Sequence, residues 1–198
     1  MTQIVEFFFD CASPYTYLAA TQIEAVAQRA GGQVQWKPFL IGKAFEATGN
    51  KMPASVPAKA KYMFKDLQLW ARHYGVAFQF PKIFPINSLL PQRLLCAVAP
   101  ERLPETALAL MRAYWAQGAD IQQPEVLQAL LDGIGLDGST LLAAAQTDAV
   151  KAQLKANTED AVARGAFGAP TFFIGKTQFW GNDRLGLIEE MLAGRLAP

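Results

Sequence analysis

This 198-residue chain has one histidine and two cysteines, and that scarcity removes several chemistries at once. With His73 alone, a Ser-His-Asp triad and a histidine-based metal site are poorly supported. Within Leu69-Trp70-Ala71-Arg72-His73-Tyr74 it reads as a helix-end residue. Cys11 and Cys96 have no short spacing and no reason to pair, which fits a reducing cytoplasm. Neither sign of charge is in excess, since 18 Lys and Arg meet 17 Asp and Glu. That balance argues against a nucleic-acid surface or a polybasic membrane surface. No stretch approaches the roughly 20 apolar residues of a membrane span. Glu6 and Asp10 interrupt the first apolar run and no basic segment precedes it, so no signal peptide is expected. Internal repeats and low-complexity tracts are missing as well.

What is present is a core. The chain is 52% hydrophobic, enough for one globular unit or two small ones. Ile4-Val5-Glu6-Phe7-Phe8-Phe9 is a nearly unbroken apolar run, the pattern of a strand buried on both faces. Ser13-Pro14-Tyr15-Thr16 follows, and then Ala19, Ile23, Val26, Ala27 and Ala30 fall at helical spacing. Pro14 suits the first helical position, which puts Ser13 at or beside the N-cap, next to unpaired N–H groups and the positive end of the helix dipole. A thioredoxin-like chain would carry its C-x-x-C motif at this junction. Here the two sulfur positions are hydroxyls, Ser13 and Thr16. Hydroxyls form no disulfide, so a dithiol oxidoreductase is close to excluded, but a hydroxyl can donate a hydrogen bond to a thiolate that arrives with a cofactor. The plain alternative is that Ser13 is only an N-cap.

Gln33-Val34-Gln35-Trp36-Lys37-Pro38-Phe39 reads as a second strand. A helical stretch follows, with Leu67, Trp70 and Ala71 on one helix and Leu108, Met111 and Trp115 on another. Leu127, Leu130, Leu131 and Ile134 mark a third, ended by Gly133 or Gly135. Val150, Leu154 and Ala161 mark a fourth that ends near Gly165. Pro81, Pro85, Pro91, Pro100, Pro104 and Pro124 punctuate the segment as helix starts and breaks. Thr171-Phe172-Phe173-Ile174 and Thr177-Gln178-Phe179-Trp180 flank Gly175-Lys176, a hairpin turn with glycine first. The last helix has Leu185, Ile188 and Leu192 on one face and Asn182 or Asp183 as its expected cap. The expected fold class is therefore α/β: a thioredoxin-like βαβ…ββα domain over residues 1–42 and 156–198, with a helical insertion over 43–155.

Two further places suit chemistry. A thioredoxin-like fold carries a cis-proline at Gly168-Ala169-Pro170-Thr171, opposite the active helix start. Because only about 5–6% of X-Pro bonds are cis, composition alone reads Pro170 as a proline leading into a strand. If the bond is cis, the Ala169 backbone can pair with a peptide ligand as a strand would. Trp180-Gly181-Asn182-Asp183-Arg184 offers free N–H groups to a carboxylate and, at Asp183, a partner for an ammonium group; an ordinary capped helix explains it equally well. Taken together, the three sites suit a γ-glutamyl tripeptide, with its thiol at Ser13, its backbone at Ala169 and its amino-acid head at Asn182 and Asp183.

From Phe7 to Leu18 the chain resembles the opening of 2-hydroxychromene-2-carboxylate isomerases and kappa-class glutathione transferases, a glutathione-using branch of the DsbA-like group. The resemblance continues through Thr48-Gly49-Asn50-Lys51, Pro57-Ala58-Lys59, Tyr62-Met63, Asp66-Leu67 and Phe80-Pro81. It resumes at Gly165 to Thr171 and Trp180 to Arg184, in family order over essentially the whole chain. It implies a thioredoxin-like fold with a helical insertion, a homodimer, and glutathione as cofactor. Ser13 matches the catalytic serine. Asn50 and Lys59 match residues near the glycyl end or the substrate, and Ala169, Pro170, Gly181, Asn182 and Asp183 lie in segments that match glutathione contacts. Lys43 and Asn87 fall in segments that line the substrate side. Cys11 departs from the bulky apolar residue common at its position and reads as a packed strand end.

The implied reaction interconverts 2-hydroxychromene-2-carboxylate and trans-o-hydroxybenzylidenepyruvate, a product of aromatic-ring catabolism. Reversible addition of a thiolate turns a double bond into one that rotates. A free thiol titrates near 8.5, and lowering that by ~2 units takes about 2.7 kcal/mol, the order of one helix start plus one charge-assisted hydrogen bond. Lys43, Asn50 or Lys59 would hold the substrate carboxylate. The alternatives are a kappa-type transferase or peroxidase using the same thiolate, and a non-catalytic thioredoxin-like binding module.

Overall fold

A computed structural model describes residues 2–197. In chain order the elements are β1 (Ile4–Phe9), α1 (Pro14–Ala20), α2 (Ile23–Arg29), β2 (Gln33–Pro38), α3 (Ile41–Thr48), α4 (Pro57–Tyr74) and α5 (Leu89–Ala97). They continue with α6 (Leu103–Trp115), α7 (Pro124–Gly133), α8 (Gly138–Ala144), α9 (Asp148–Ala163), β3 (Thr171–Ile174), β4 (Thr177–Trp180) and α10 (Leu185–Leu192). The sheet order is β2-β1-β3-β4, with β1 parallel to β2 and antiparallel to β3, and β3 antiparallel to β4. This is the α/β, thioredoxin-like βαβ…ββα arrangement with helices interposed. No helix among the described residues is long and apolar enough to cross a membrane.

The aromatic run of β1 explains why the sheet is a sandwich filling. Alternation along a strand sends successive side chains to opposite faces. Val5, Phe7 and Phe9 join Trp36, Phe172 and Ile188 in the large core, where the Phe7 ring stacks on Phe172 at 4.9 Å. Phe8 faces the other way and meets Phe39, Phe173, Ala44 and Ala161. Both faces are thus covered, as an unbroken apolar strand requires. The hairpin turns at Gly175, whose φ is +58°.

Several elements differ from the sequence reading. The helix expected to run on from Ser13 is two helices. Thr21 donates its hydroxyl back to Leu18 O at 2.7 Å and Gln22 N–H bonds to Ala19 O, which tightens the chain before α2 begins. Neither Asn182 nor Asp183 caps the last helix. Residues Asn182–Arg184 form a separate 3₁₀ turn with Gly181 at its start, and α10 begins only at Leu185 with no side-chain cap. Helices α3, α5 and α8 were not anticipated. The expected boundary at 155/156 falls inside α9, which is continuous, and Ala161 of that helix packs on the sheet beside Phe8.

Candidate functional site

Ser13 takes the N-cap position of α1 with Pro14 inside the helix, as the residue types dictate. Its oxygen accepts Thr16 N–H at 3.2 Å and its proton goes to Ala169 O at 3.0 Å. The Ala169–Pro170 bond is cis. Pro170 O in turn accepts Gly181 N–H at 3.0 Å, so three separate segments are tied together around the serine. Gly168 and Gly181 are required here. A Cβ on Gly168 would stand 2.6 Å from Trp180 Nε1, while Gly181 has φ +103° and a Cβ there would run into the Asp183 carboxylate.

These segments form one side of a cavity of about 1260 Å³. Ser13, Ala169, Gly181, Asn182 and Asp183 line it from one side, and Lys43, Asn50, Lys59 and Asn87 also line it, from the helical segment between the strand pairs. Pro170 is buried behind Ala169 and does not line the cavity. Sequence reasoning therefore names nine residues that share one cavity although up to 170 positions separate them.

The polar groups there differ in how they are held. Asn182 is 2% exposed, its backbone carbonyl accepts the Tyr74 hydroxyl at 3.2 Å, and its Nδ2 has no partner among the described residues. Buried donors are nearly always satisfied, so this unpartnered amide, on a residue that lines the cavity, stands out. Asp183 is half-exposed beside Arg184, at 3.4 Å. Asn50 donates to Phe167 O at 2.8 Å and accepts Lys51 N–H, an arrangement that pins its loop and leaves one amide hydrogen. Lys43 is exposed and paired with Glu46 at 2.7 Å. Lys51 and Lys59 line the cavity with no carboxylate partner among the described residues. Asn87 spends its carbonyl oxygen on Leu89 N–H at 3.0 Å, at the start of α5.

Sequence reasoning missed the phenol pair on this cavity. Tyr15 and Tyr62 both donate to Asp66, at 2.8 and 3.2 Å, and all three line the space. Burial and the neighbouring Asp66 carboxylate push the Tyr15 phenol far above its usual range. Tyr62 and Asp66 are spaced i,i+4 on α4, a signal the sequence offered; the link to Tyr15 across 51 positions has none. Cys11 packs as expected at the end of β1, fully buried, and burial with Asp10 alongside pushes its thiol well up. Thr16 Oγ1, at the second hydroxyl position, is buried without a partner among the described residues and does not line the cavity.

Comparison with known proteins shows which family the chain belongs to. A family model described as a DSBA-like thioredoxin domain matches residues 4–193. A 2-hydroxychromene-2-carboxylate isomerase from Sphingobium xenophagum is 33% identical over 97% of this chain and 99% of its own. Glutathione S-transferase kappa 1 from Homo sapiens is 32% identical over 97% of this chain and 92% of its own. A solved structure of a 2-hydroxychromene-2-carboxylate isomerase superposes with a TM-score of 0.88 at 27% identity, covering 96% of this chain and 95% of that one. A two-stranded parallel start, an antiparallel hairpin end, a helical insertion and a hydroxyl at the head of α1 are thus set in a chain whose relatives match it end to end, and the chain belongs to the DSBA-like thioredoxin family, in the group of 2-hydroxychromene-2-carboxylate isomerases and kappa-class glutathione transferases.

Proposed function

We propose that this chain is a glutathione-dependent isomerase of the 2-hydroxychromene-2-carboxylate type. The observation that carries the reading is the convergence of Ser13, Ala169, Asn182 and Asp183 on one cavity. Those residues fit a γ-glutamyl tripeptide: one hydroxyl proton for a sulfur, and the Asn182 side-chain amide, without a partner among the described residues, with the Asp183 carboxylate for the amino-acid head. Glutathione, when bound, supplies a thiolate that adds reversibly to a conjugated double bond and so permits its rotation.

The work of the chain's own residues follows from their bonds. Ser13 has one proton, which Ala169 O now accepts. To stabilise a sulfur anion the hydroxyl turns that proton from the neutral carbonyl to the charge, exchanging an ordinary hydrogen bond for a charge-assisted one. The Thr16 N–H keeps the serine oxygen in place during that turn. Asp183 holds an ammonium group and Asn182 Nδ2 donates to a carboxylate or carbonyl of the head. Lys59 and Lys51, without carboxylate partners among the described residues, are better placed electrostatically than Lys43 to take a substrate carboxylate, because Lys43 must first part from Glu46. Apolar groups around Ile41, Phe45, Phe84 and Ile86 line the same cavity and suit an aromatic ring.

The kappa-class relatives at 32% identity favour a second reading, a transferase using the same thiolate on other electrophiles. Isothermal titration with glutathione, then ultraviolet assays with 2-hydroxychromene-2-carboxylate and with a chloronitrobenzene, separates the readings. Isomerisation that requires catalytic glutathione supports the first, and stoichiometric consumption of glutathione supports the second. Glutathione binding without turnover of either substrate leaves a binding module, and no binding removes both. We also read the chain as a cytoplasmic homodimer, which light scattering of the purified protein and fractionation of its host would test.

A further inference from the structure

The loop from Phe9 to Ser13 is held at every residue. Gln92 of α5 donates to Phe9 O at 2.7 Å and to Phe39 O at 3.0 Å, and its Oε1 accepts Cys11 N–H. Trp115 of α6 donates to Cys11 O at 2.8 Å. Ser13 N–H bonds to Asp10 O at 3.0 Å. The side chain of Asp10 reaches farthest. One oxygen accepts Ala12 N–H at 2.9 Å, and the other accepts Ile41 N–H at 2.9 Å.

Asp10 is 0% exposed and has no cation within ion-pair distance among the described residues. An acid buried without a counter-charge is costly unless its hydrogen bonds are complete, so this one needs a reason. Its bonds supply that reason. Ile41 opens α3, where no side chain of the helix's own N-cap serves the first N–H groups. Ala12 and Ile41 both line the cavity, from different segments. A fold needing only a capped α3 would find it at Leu40 with a serine or aspartate; here the cap is drawn from the loop that carries the active hydroxyl.

We propose that Asp10 is a positioning residue for Ser13, a buried clamp that fixes the loop carrying the serine to the start of α3, which lines the same cavity. The inference rests on the reading of Ser13 as the partner of a glutathione thiolate. Released from the clamp, the loop and the start of α3 lose their common reference, and the serine hydroxyl no longer meets the sulfur at hydrogen-bond distance.

The test is Asp10→Asn, which keeps the shape and loses one acceptor. The thiolate absorbance of glutathione bound to the wild type, to D10N, to S13A and to the double variant is titrated against pH. The bound thiol in D10N is expected to titrate higher than in the wild type, and turnover is expected to fall by about tenfold or more, the scale of a small misplacement at a reacting atom. Acting through its charge alone, Asp10 would do the opposite, because removing a negative charge nearby lowers a thiol's pKa. In the S13A background the D10N effect on both readouts should vanish, since contacts that act through one another are not additive. An unchanged or lowered thiol titration in folded D10N, or an undiminished effect without Ser13, overturns the clamp. If S13A itself titrates like the wild type, the reading of Ser13 falls first and the two failures are told apart. Should D10N fail to fold, Asp10→Glu keeps both acceptors and displaces them by one methylene. An upward shift supports the clamp there, and an unchanged titration contradicts it.

Discussion

The cavity has two sides built by different means. Around Ser13 the backbone is tied down from several segments, although Thr16 Oγ1 and Asn182 Nδ2 on this side have no partner among the described residues. The hydroxyl bonds on both sides, the loop before it is held by Asp10, Gln92 and Trp115, and the Gly181 turn is tied to Pro170. Around Lys43 the side chains are long, charged and exposed, and the Lys43–Glu46 pair is a surface pair of the kind that contributes little. Helix α3 buries only Ala44. The difference teaches where specificity and chemistry reside. In the proposed reaction a reacting sulfur would tolerate little displacement, which suits the tied-down side, while the exposed side chains of α3 beyond its clamped start would meet the substrate.

Breaking the tied-down side should therefore cost most. Ser13→Ala is expected to lower turnover by about two orders of magnitude, the scale of one lost donor to a developing charge, while the cap it provides to α1 contributes only about 0.5–2 kcal/mol to stability. Steady-state kinetics with a thermal melt on the same sample separates the two effects. Asp183→Ala comes next. Losing one charge-assisted bond to the amino-acid head is worth roughly 1.5–3 kcal/mol, or about one to two orders of magnitude in glutathione affinity. Turnover at saturating glutathione should largely recover, because binding shared by ground and transition states does not alter the chemical step. Calorimetry and a turnover series in glutathione check it; unchanged affinity would make the Gly181–Arg184 turn a purely structural feature.

The exposed side should answer weakly. Lys43→Ala is expected to change KM for a carboxylate-bearing substrate by less than about threefold, in line with an exposed pair, and Lys59→Ala by more, as Lys59 has no carboxylate partner among the described residues. Initial rates for the two variants decide the ranking. The smallest effect belongs to Cys11. Its side chain packs as a small hydrophobe while its backbone is what Gln92 and Trp115 hold. Cys11→Ala should lose ~1 kcal/mol of packing and keep most of its activity. Burial pushes the Cys96 thiol up to about 12 and Cys11 well up as well. Both should resist alkylation at neutral pH in the native protein and react once it is denatured, which mass spectrometry reads directly.

The legible parts of the chain were those governed by local chemistry. Pro14 after a polar residue at the end of an aromatic run announces the head of α1, and Gly175-Lys176 between two β-rich tetrapeptides announces the hairpin. Helix α3 does carry a short apolar stripe, Ile41, Ala44 and Phe45, but its eight residues make only about two turns, too few for the spacing to stand out as a helix. The cap at Asn182 was misread because Gly181 takes a positive φ that diverts the chain into a 3₁₀ turn before α10, a conformation that residue types alone do not distinguish from a capped start. Nine residues that line the cavity could be named from the family resemblance, yet the bonds from Asp10 to Ile41 and from Tyr15 to Asp66 join positions 31 and 51 apart, and only the fold brings them into contact.

The account stands on a sulfur anion held by one serine hydroxyl. Titrating the thiolate absorbance of bound glutathione in the wild type and in Ser13→Ala tests that most directly. The bound thiol is predicted to titrate well below the value near 8.5 of a free thiol in the wild type, and to move back toward it in the variant. Identical titration curves for the two proteins would contradict the claim and leave Ser13 as no more than the cap of α1.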